Sequence, residues 1–219
     1  MNNIILMSLT ILTITPILLY TNNNANTIIL DTSKYDPNFN WYNTNGTLPI
    51  IRNNTVIFHG SNLTNMYQDA ISIISIKPSK YIELNAKVSF IINDYSNNAK
   101  DEFAIFATSD IKEYNKHEFG FVLPENNDIL YAYVQSPEIN GFFIWKPIMY
   151  IDDNLHELKA IYDNSKVRFY IDNMLVWEYK FIILKDRLHL AIVSHKLSNN
   201  IDISNNKMII YNASLLSNL

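Results

Sequence analysis

Cleaving a glycosidic bond takes two carboxyl groups. One gives a proton and the other acts as nucleophile or base, at a separation set by the mechanism. Four carboxylates could supply such a pair: Asp101, Glu102, Glu118 and Glu138. Successive side chains on a strand point to opposite faces. Asp101 and Glu102 are adjacent, so an extended chain turns them apart, and Glu118 can meet Glu102 only across strands. Glu138 falls in loop sequence between Pro137 and Gly141. The five histidines (His59, His117, His156, His189 and His195) show no H-x-H or H-x-x-x-H spacing. His189 and His195, on one strand, would stand roughly 20 Å apart, too far to share a metal ion. No metal site is expected. Calcium, held by oxygens of Asp94, Asp101 or Asp128, is the one weakly indicated cofactor. There is no G-x-S-x-G elbow and no Gly-rich phosphate loop. Cysteine is absent, which removes thiol nucleophiles and Cys-ligated zinc.

Flat rings are the stronger signal. Trp41 sits in a polar stretch, Tyr131 and Tyr133 share one strand face, and Phe142, Phe143 and Trp145 form a dense run. An exposed ring stacks on the apolar face of a sugar, or presses into a protein, with little loss of entropy. The expected ligand-binding residues are therefore Trp41, Tyr131, Tyr133 and Trp145. Arg168 and Tyr170 join them, because they oppose Val167 and Phe169 and form one polar strand side. Phe143 and Trp177 are assigned to the core, since a β-sandwich needs large side chains on its inner faces.

The elements that position these residues read as β throughout. Short Ile, Val, Phe and Tyr runs alternate with Asn, Asp and Pro clusters, and no window carries a helical stripe. The clearest stretch is C-terminal. In 155–162, His156, Leu158, Ala160 and Tyr162 oppose Leu155, Glu157, Lys159 and Ile161. Val167, Phe169 and Ile171 then oppose Arg168 and Tyr170. Asp163-Asn164-Ser165-Lys166 and Asp172-Asn173 are the turns, because Asp and Asn tolerate positive φ. About eleven to thirteen strands in one chain cannot lie flat around one core, so they stack in two layers. The short turns make the pairing antiparallel.

The chain has 219 residues, 48% hydrophobic and only 17% charged, with a net charge of −4. Ordinary soluble domains carry roughly 25% charged residues. Basic residues are few and scattered, which speaks against a nucleic-acid surface. Residues 1–20 hold no charged side chain, and an Asn-rich stretch follows. Residues 1–25 are expected to be a cleaved signal peptide or an N-terminal anchor with transient membrane contact. Residues 26–219 would then be a single secreted or cell-surface domain. In that compartment Asn45, Asn53, Asn62 and Asn212, each in an N-x-S/T sequon, are expected glycosylation sites.

The segment 155–179, LHELKAIYDNSKVRFYIDNMLVWEY, resembles the back half of concanavalin A-like lectin/glucanase and laminin-G-like jelly rolls. Members often run V-x-F-Y-x-D-G-x-x-V. Val167, Phe169, Tyr170, Asp172 and Val176 fit, with Asn173 at the Gly position. The resemblance extends over 50–213 and implies an all-β, antiparallel two-sheet sandwich of jelly-roll type. That superfamily includes carbohydrate-binding modules, glycan hydrolases, lyases and adhesive domains. Its glucanases carry their catalytic carboxylates on an E-x-D-x-x-E strand, and no such run occurs here. The expected role is thus non-catalytic glycan recognition. The alternatives are a structural or adhesive surface protein that self-assembles through an open edge, and a glycan-cleaving hydrolase.

Overall fold

The computed structural model describes residues 26–43, 48–59, 66–92, 101–109, 117–124, 127–137, 143–180, 186–196 and 206–218. The segment 1–25, Asn45, Asn62, Asp94 and Glu138 lie outside the described residues, and of Asp101 only the backbone is described. Among the described residues there are fifteen strands and no helix. They form two antiparallel sheets.

The first sheet has eight strands. Its order is β13 (Met174–Lys180), β12 (Lys166–Ile171), β11 (His156–Asp163), β6 (Tyr81–Ile91), β15 (Lys207–Asn218), β4 (Thr55–His59) and β3 (Ile50–Arg52). The eighth strand, β1 (Thr27–Ile29), also pairs with β15. The second sheet has seven strands, ordered β10 (Phe143–Tyr150), β9 (Ile129–Gln135), β8 (Glu118–Leu123), β7 (Asp101–Thr108), β14 (His189–Lys196), β5 (Met66–Ser72) and β2 (Phe39–Asn43). The result is the expected all-β two-sheet sandwich. The strand count exceeds the sequence expectation because β2 and β3 are short edge pieces with little alternation to read.

Alternation fixes which side of each strand faces inward. On β11 and β12, Leu158, Ala160, Val167 and Phe169 are fully buried in the core between the sheets. Phe121 of β8 meets Phe169 of β12 edge to face at 5.6 Å, joining the two layers. The turns follow the sequence chemistry. Asp172 and Asn173 both take positive φ, 50° and 67°, the pattern of a type I′ hairpin turn. Asn53 and Asn54 repeat it between β3 and β4.

The two sheets treat their outer faces differently. The eight-stranded sheet turns charged and polar residues outward, including Lys87, Lys159, Arg168 and Glu178. In the seven-stranded sheet, β8 is buried along its whole length, on both sides. A second apolar cluster of Ile71, Ala104, Phe106, Val122, Tyr133, Ala191 and Val193 covers that sheet's outer face, with Tyr131 packed against it.

Candidate functional site

The pairing registers lay out the outer face of the seven-stranded sheet. Trp145 stands opposite Tyr133, Tyr133 opposite Gly120, Gly120 opposite Phe106 and Phe106 opposite Ala191. A flanking row runs Phe143, Gln135, Glu118, Thr108 and His189. On the other side run Pro147, Tyr131, Val122, Ala104 and Val193.

Gly120 shapes this face. A Cβ built there would fall on the Ile105 carbonyl oxygen and within 2.9 Å of Phe106 Cα and of the Phe106 ring. With no side chain between them, the Phe106 and Tyr133 rings meet across β8 at 5.2 Å. Tyr133 stacks on Phe143 at 5.8 Å, with planes 27° apart. Trp145 lies 5.0 Å from Phe143 and stands perpendicular to Tyr131 at 5.9 Å. Burial falls toward the edge strand: Tyr133 is 9% exposed, Trp145 38% and Phe143 47%. The outcome is a ring shelf with an apolar floor and an open rim along β10.

The polar groups at its border are held in place. The Tyr133 hydroxyl donates to Gln135 Oε1 at 2.7 Å. Burial, followed by the Glu118 and Glu102 carboxylates, pushes that hydroxyl's pKa far above its usual value, so it stays a neutral donor. Asn127 donates its amide to the Tyr131 hydroxyl at 3.3 Å. Glu118 is only 2% exposed. His189 donates through Nδ1 to the Ser72 carbonyl at 2.8 Å, which fixes the ring.

Three expected ligand residues, Tyr131, Tyr133 and Trp145, are brought together here. The other three are elsewhere. Trp41 belongs to β2 with the opposite parity. It packs against the inner core, its indole N–H donates to the Asp36 carbonyl at 3.0 Å, and Tyr35 meets it edge-on at 5.3 Å. Arg168 and Tyr170 do turn outward, but from the eight-stranded sheet on the far side of the sandwich. Arg168 there bonds Glu178 at 2.9 Å and Asp163 at 3.3 Å. The six expected residues therefore form no single site. Phe143, assigned to the core from sequence, is a correction: it belongs to the shelf. Its i, i+2 spacing from Trp145 already placed both rings on one face.

Among the described carboxylates, Glu102 and Glu118 are not cross-strand partners. Glu102 lies six residues from Thr108 on β7, and Thr108 is the partner of Glu118. That puts the two backbone positions roughly 20 Å apart along the strand. Laid on β8 from Glu118, the glucanase run E-x-D-x-x-E meets Gly120 at the Asp position and Leu123 at the second Glu. Among the described residues no three His, Asp or Glu cluster where a metal could bind. Asp128 is an exposed turn residue. Of the sequon residues, Asn53 lies in the exposed β3–β4 turn and Asn212 on the outer face of the eight-stranded sheet.

No family model matches the sequence, and no curated protein does. Solved structures do. The carbohydrate recognition domain of Emp47p superposes with a TM-score of 0.65 at 9% identity, covering 89% of this chain and 96% of that one. The laminarinase catalytic domain from Thermotoga maritima MSB8 gives 0.65 at 10% identity, covering 88% and 97%. A glycoside hydrolase family protein from Mycobacterium thermorestibile gives 0.64 at 10% identity, covering 86% and 99%. The chain shares the two-sheet jelly-roll fold of these proteins. Lectin domains and glucanases share this jelly roll at equally low identity, so the architecture does not separate binding from cleavage. Within the jelly roll, the ring shelf occupies the outer face of the seven-stranded sheet.

Proposed function

We propose that this protein is a secreted or cell-surface recognition module that binds glycans without cleaving them. The carrying observation is the shelf of Tyr131, Phe143 and Trp145 over the apolar floor of the seven-stranded sheet. Partly exposed rings such as Phe143 and Trp145 suit the apolar side of a pyranose. A glycan as partner is consistent with the structural neighbours, which include a carbohydrate recognition domain and a laminarinase catalytic domain. In this reading the exposed sequon at Asn53 carries a glycan of its own.

The test is a glycan array probed with the protein and its Trp145→Ala variant, alongside a reducing-end release assay on any ligand found. The expected result is saturable binding to a defined glycan, weakened at least about tenfold in the variant and with no release of reducing ends. Stacking of a nucleobase on an aromatic side chain, a related contact, is worth about 1–3 kcal/mol when the ring is removed. Release of reducing ends would establish the hydrolase instead. A second reading, self-assembly, is favoured by exposed apolar residues at sheet edges: Tyr150 on β10, and Met174 and Leu175 on β13. A defined oligomer that binds no glycan would establish that reading.

A further inference from the structure

The outer face of the eight-stranded sheet carries a polar depression of about 220 Å³, lined by Asn85, Lys87, Glu157, Asn212 and Ser214. It sits over the three central strands. Asn212 is opposite Lys87 and Ser214 opposite Asn85 on the β15–β6 pair. Glu157 is opposite Lys87 on the β6–β11 pair. The β15–β6 register shifts between Ile210 and Asn212, a bulge that re-aims the side chains that follow.

The lining groups divide by bonding. Asn85 donates its amide to Glu157 Oε1 at 3.2 Å, and Lys159 Nζ lies 3.3 Å from the same oxygen. The side chains of Lys87, Asn212 and Ser214 make no hydrogen bond or ion pair among the described residues. The depression therefore offers an ammonium, a carboxamide and a hydroxyl to an incoming ligand, beside a carboxylate that is already oriented. Its charge, counting Lys87, Lys159 and Glu157, is +1.

We propose that this depression binds a single carboxylated sugar unit, a hexuronate. The ligand carboxylate pairs with Lys87. Ring hydroxyls take the Asn212 and Ser214 side chains, and one hydroxyl donates to Glu157. That last contact selects the ligand class. Inorganic phosphate at neutral pH brings only one or two donors and a mean charge between about −1 and −2 toward Glu157, whereas a polyhydroxylic acid brings several donors and a single negative charge. The size agrees. At about 220 Å³ the depression lies below the ≈ 300 Å³ or more of clefts that enclose drug-sized ligands, which limits it to a single sugar unit. The site is on the opposite sheet from the ring shelf and does not depend on the function proposed for that shelf.

The test uses protein made in a bacterial host, so that Asn212 carries no glycan. Glucuronic acid, glucose and inorganic phosphate are titrated separately and followed by the amide signals of Asn85, Lys87 and Asn212. The expected result is saturable shifts with glucuronic acid. Glucose and phosphate should each bind about tenfold more weakly or not at all, the size of one charge-assisted hydrogen bond. Lys87→Met should abolish the preference for glucuronic acid over glucose, while Trp145→Ala leaves it intact. Equal response to glucuronic acid and phosphate would overturn the proposal, as would an unchanged preference in Lys87→Met or no saturable shift at all.

Discussion

His156 ties two loops together, and its removal gives a stability change with a defined pH profile. Its Nδ1 lies 2.7 Å from Asp172 Oδ2 in the β12–β13 turn, and its Nε2 lies 2.9 Å from Asp152 Oδ1 in the segment before β11. Two carboxylates facing both ring nitrogens call for imidazolium, the only form with two donors. Burial is the largest influence on this histidine and opposes the charge. The bonds to Asp172 and Asp152 together outweigh it, so its pKa is raised. The pKa of Asp152 is lowered, chiefly by its bond from His156. The pKa of Asp172 is also lowered: burial, the largest single influence, raises it, but the Glu157 N–H and His156 bonds prevail.

The histidine is 12% exposed while both carboxylates are about half exposed, at 50% and 51%. Solvent screening therefore discounts each bridge from the value for a buried charged hydrogen bond. The pair is worth about 1–2 kcal/mol, or about 2–8 °C in Tm for a chain of this size. A raised histidine pKa supplies stability that is complete below about pH 6.5 and lost as pH climbs through the folded value. Lowered aspartate pKa values supply stability present above about pH 4 and lost as pH falls through their folded values. In thermal melts from pH 3 to 9, the Tm gap between wild type and His156→Ala should peak near pH 5–6. It should shrink by the stated amount toward pH 9 and narrow again toward pH 3. A constant component, from lost packing, remains throughout. A gap that does not change between pH 5 and 9 would show that the bridges are not made by imidazolium and refute the reasoning.

Three further substitutions test other parts of the structure. Gly120→Ala drives a methyl into the Ile105 carbonyl and the Phe106 ring; it should cost about 2 kcal/mol or more in chemical denaturation, and a cost under 0.5 would contradict the packing described. Ser165→Gly relieves a φ of 132° in the β11–β12 turn, a region that suits glycine, and should raise stability by about 1 kcal/mol. Arg168→Ala should leave ring-shelf ligand binding unchanged, because Arg168 faces away on the other sheet; a loss of glycan affinity comparable to that of Trp145→Ala would place the ligand there instead.

The hairpins from β11 to β13 were legible in sequence because one of their faces is wet. Apolar and polar residues alternate from Leu158 to Ile171, and paired Asp and Asn residues mark the turns. The inner strands of the other sheet were harder to read. Phe119, Phe121 and Leu123 face one buried layer while Gly120 and Val122 face another, so EFGFVL carries no inside–outside signal. Trp41 looked exposed because its neighbours are polar, yet its parity on β2 turns it toward the core.

Local composition and period-two alternation were enough to establish an all-β sandwich, its best hairpins and the outward turn of Arg168 and Tyr170. Those properties depend on each residue's own face of its own strand. Which rings share a surface was decided by strand order and register, which bring β9 and β10 side by side and put β12 in the opposite sheet. Such contacts join residues far apart in the chain, and no local pattern encodes which strand will be the neighbour. The gathering of Tyr131, Tyr133, Phe143 and Trp145, and the removal of Arg168 from them, were therefore settled only by the packed structure.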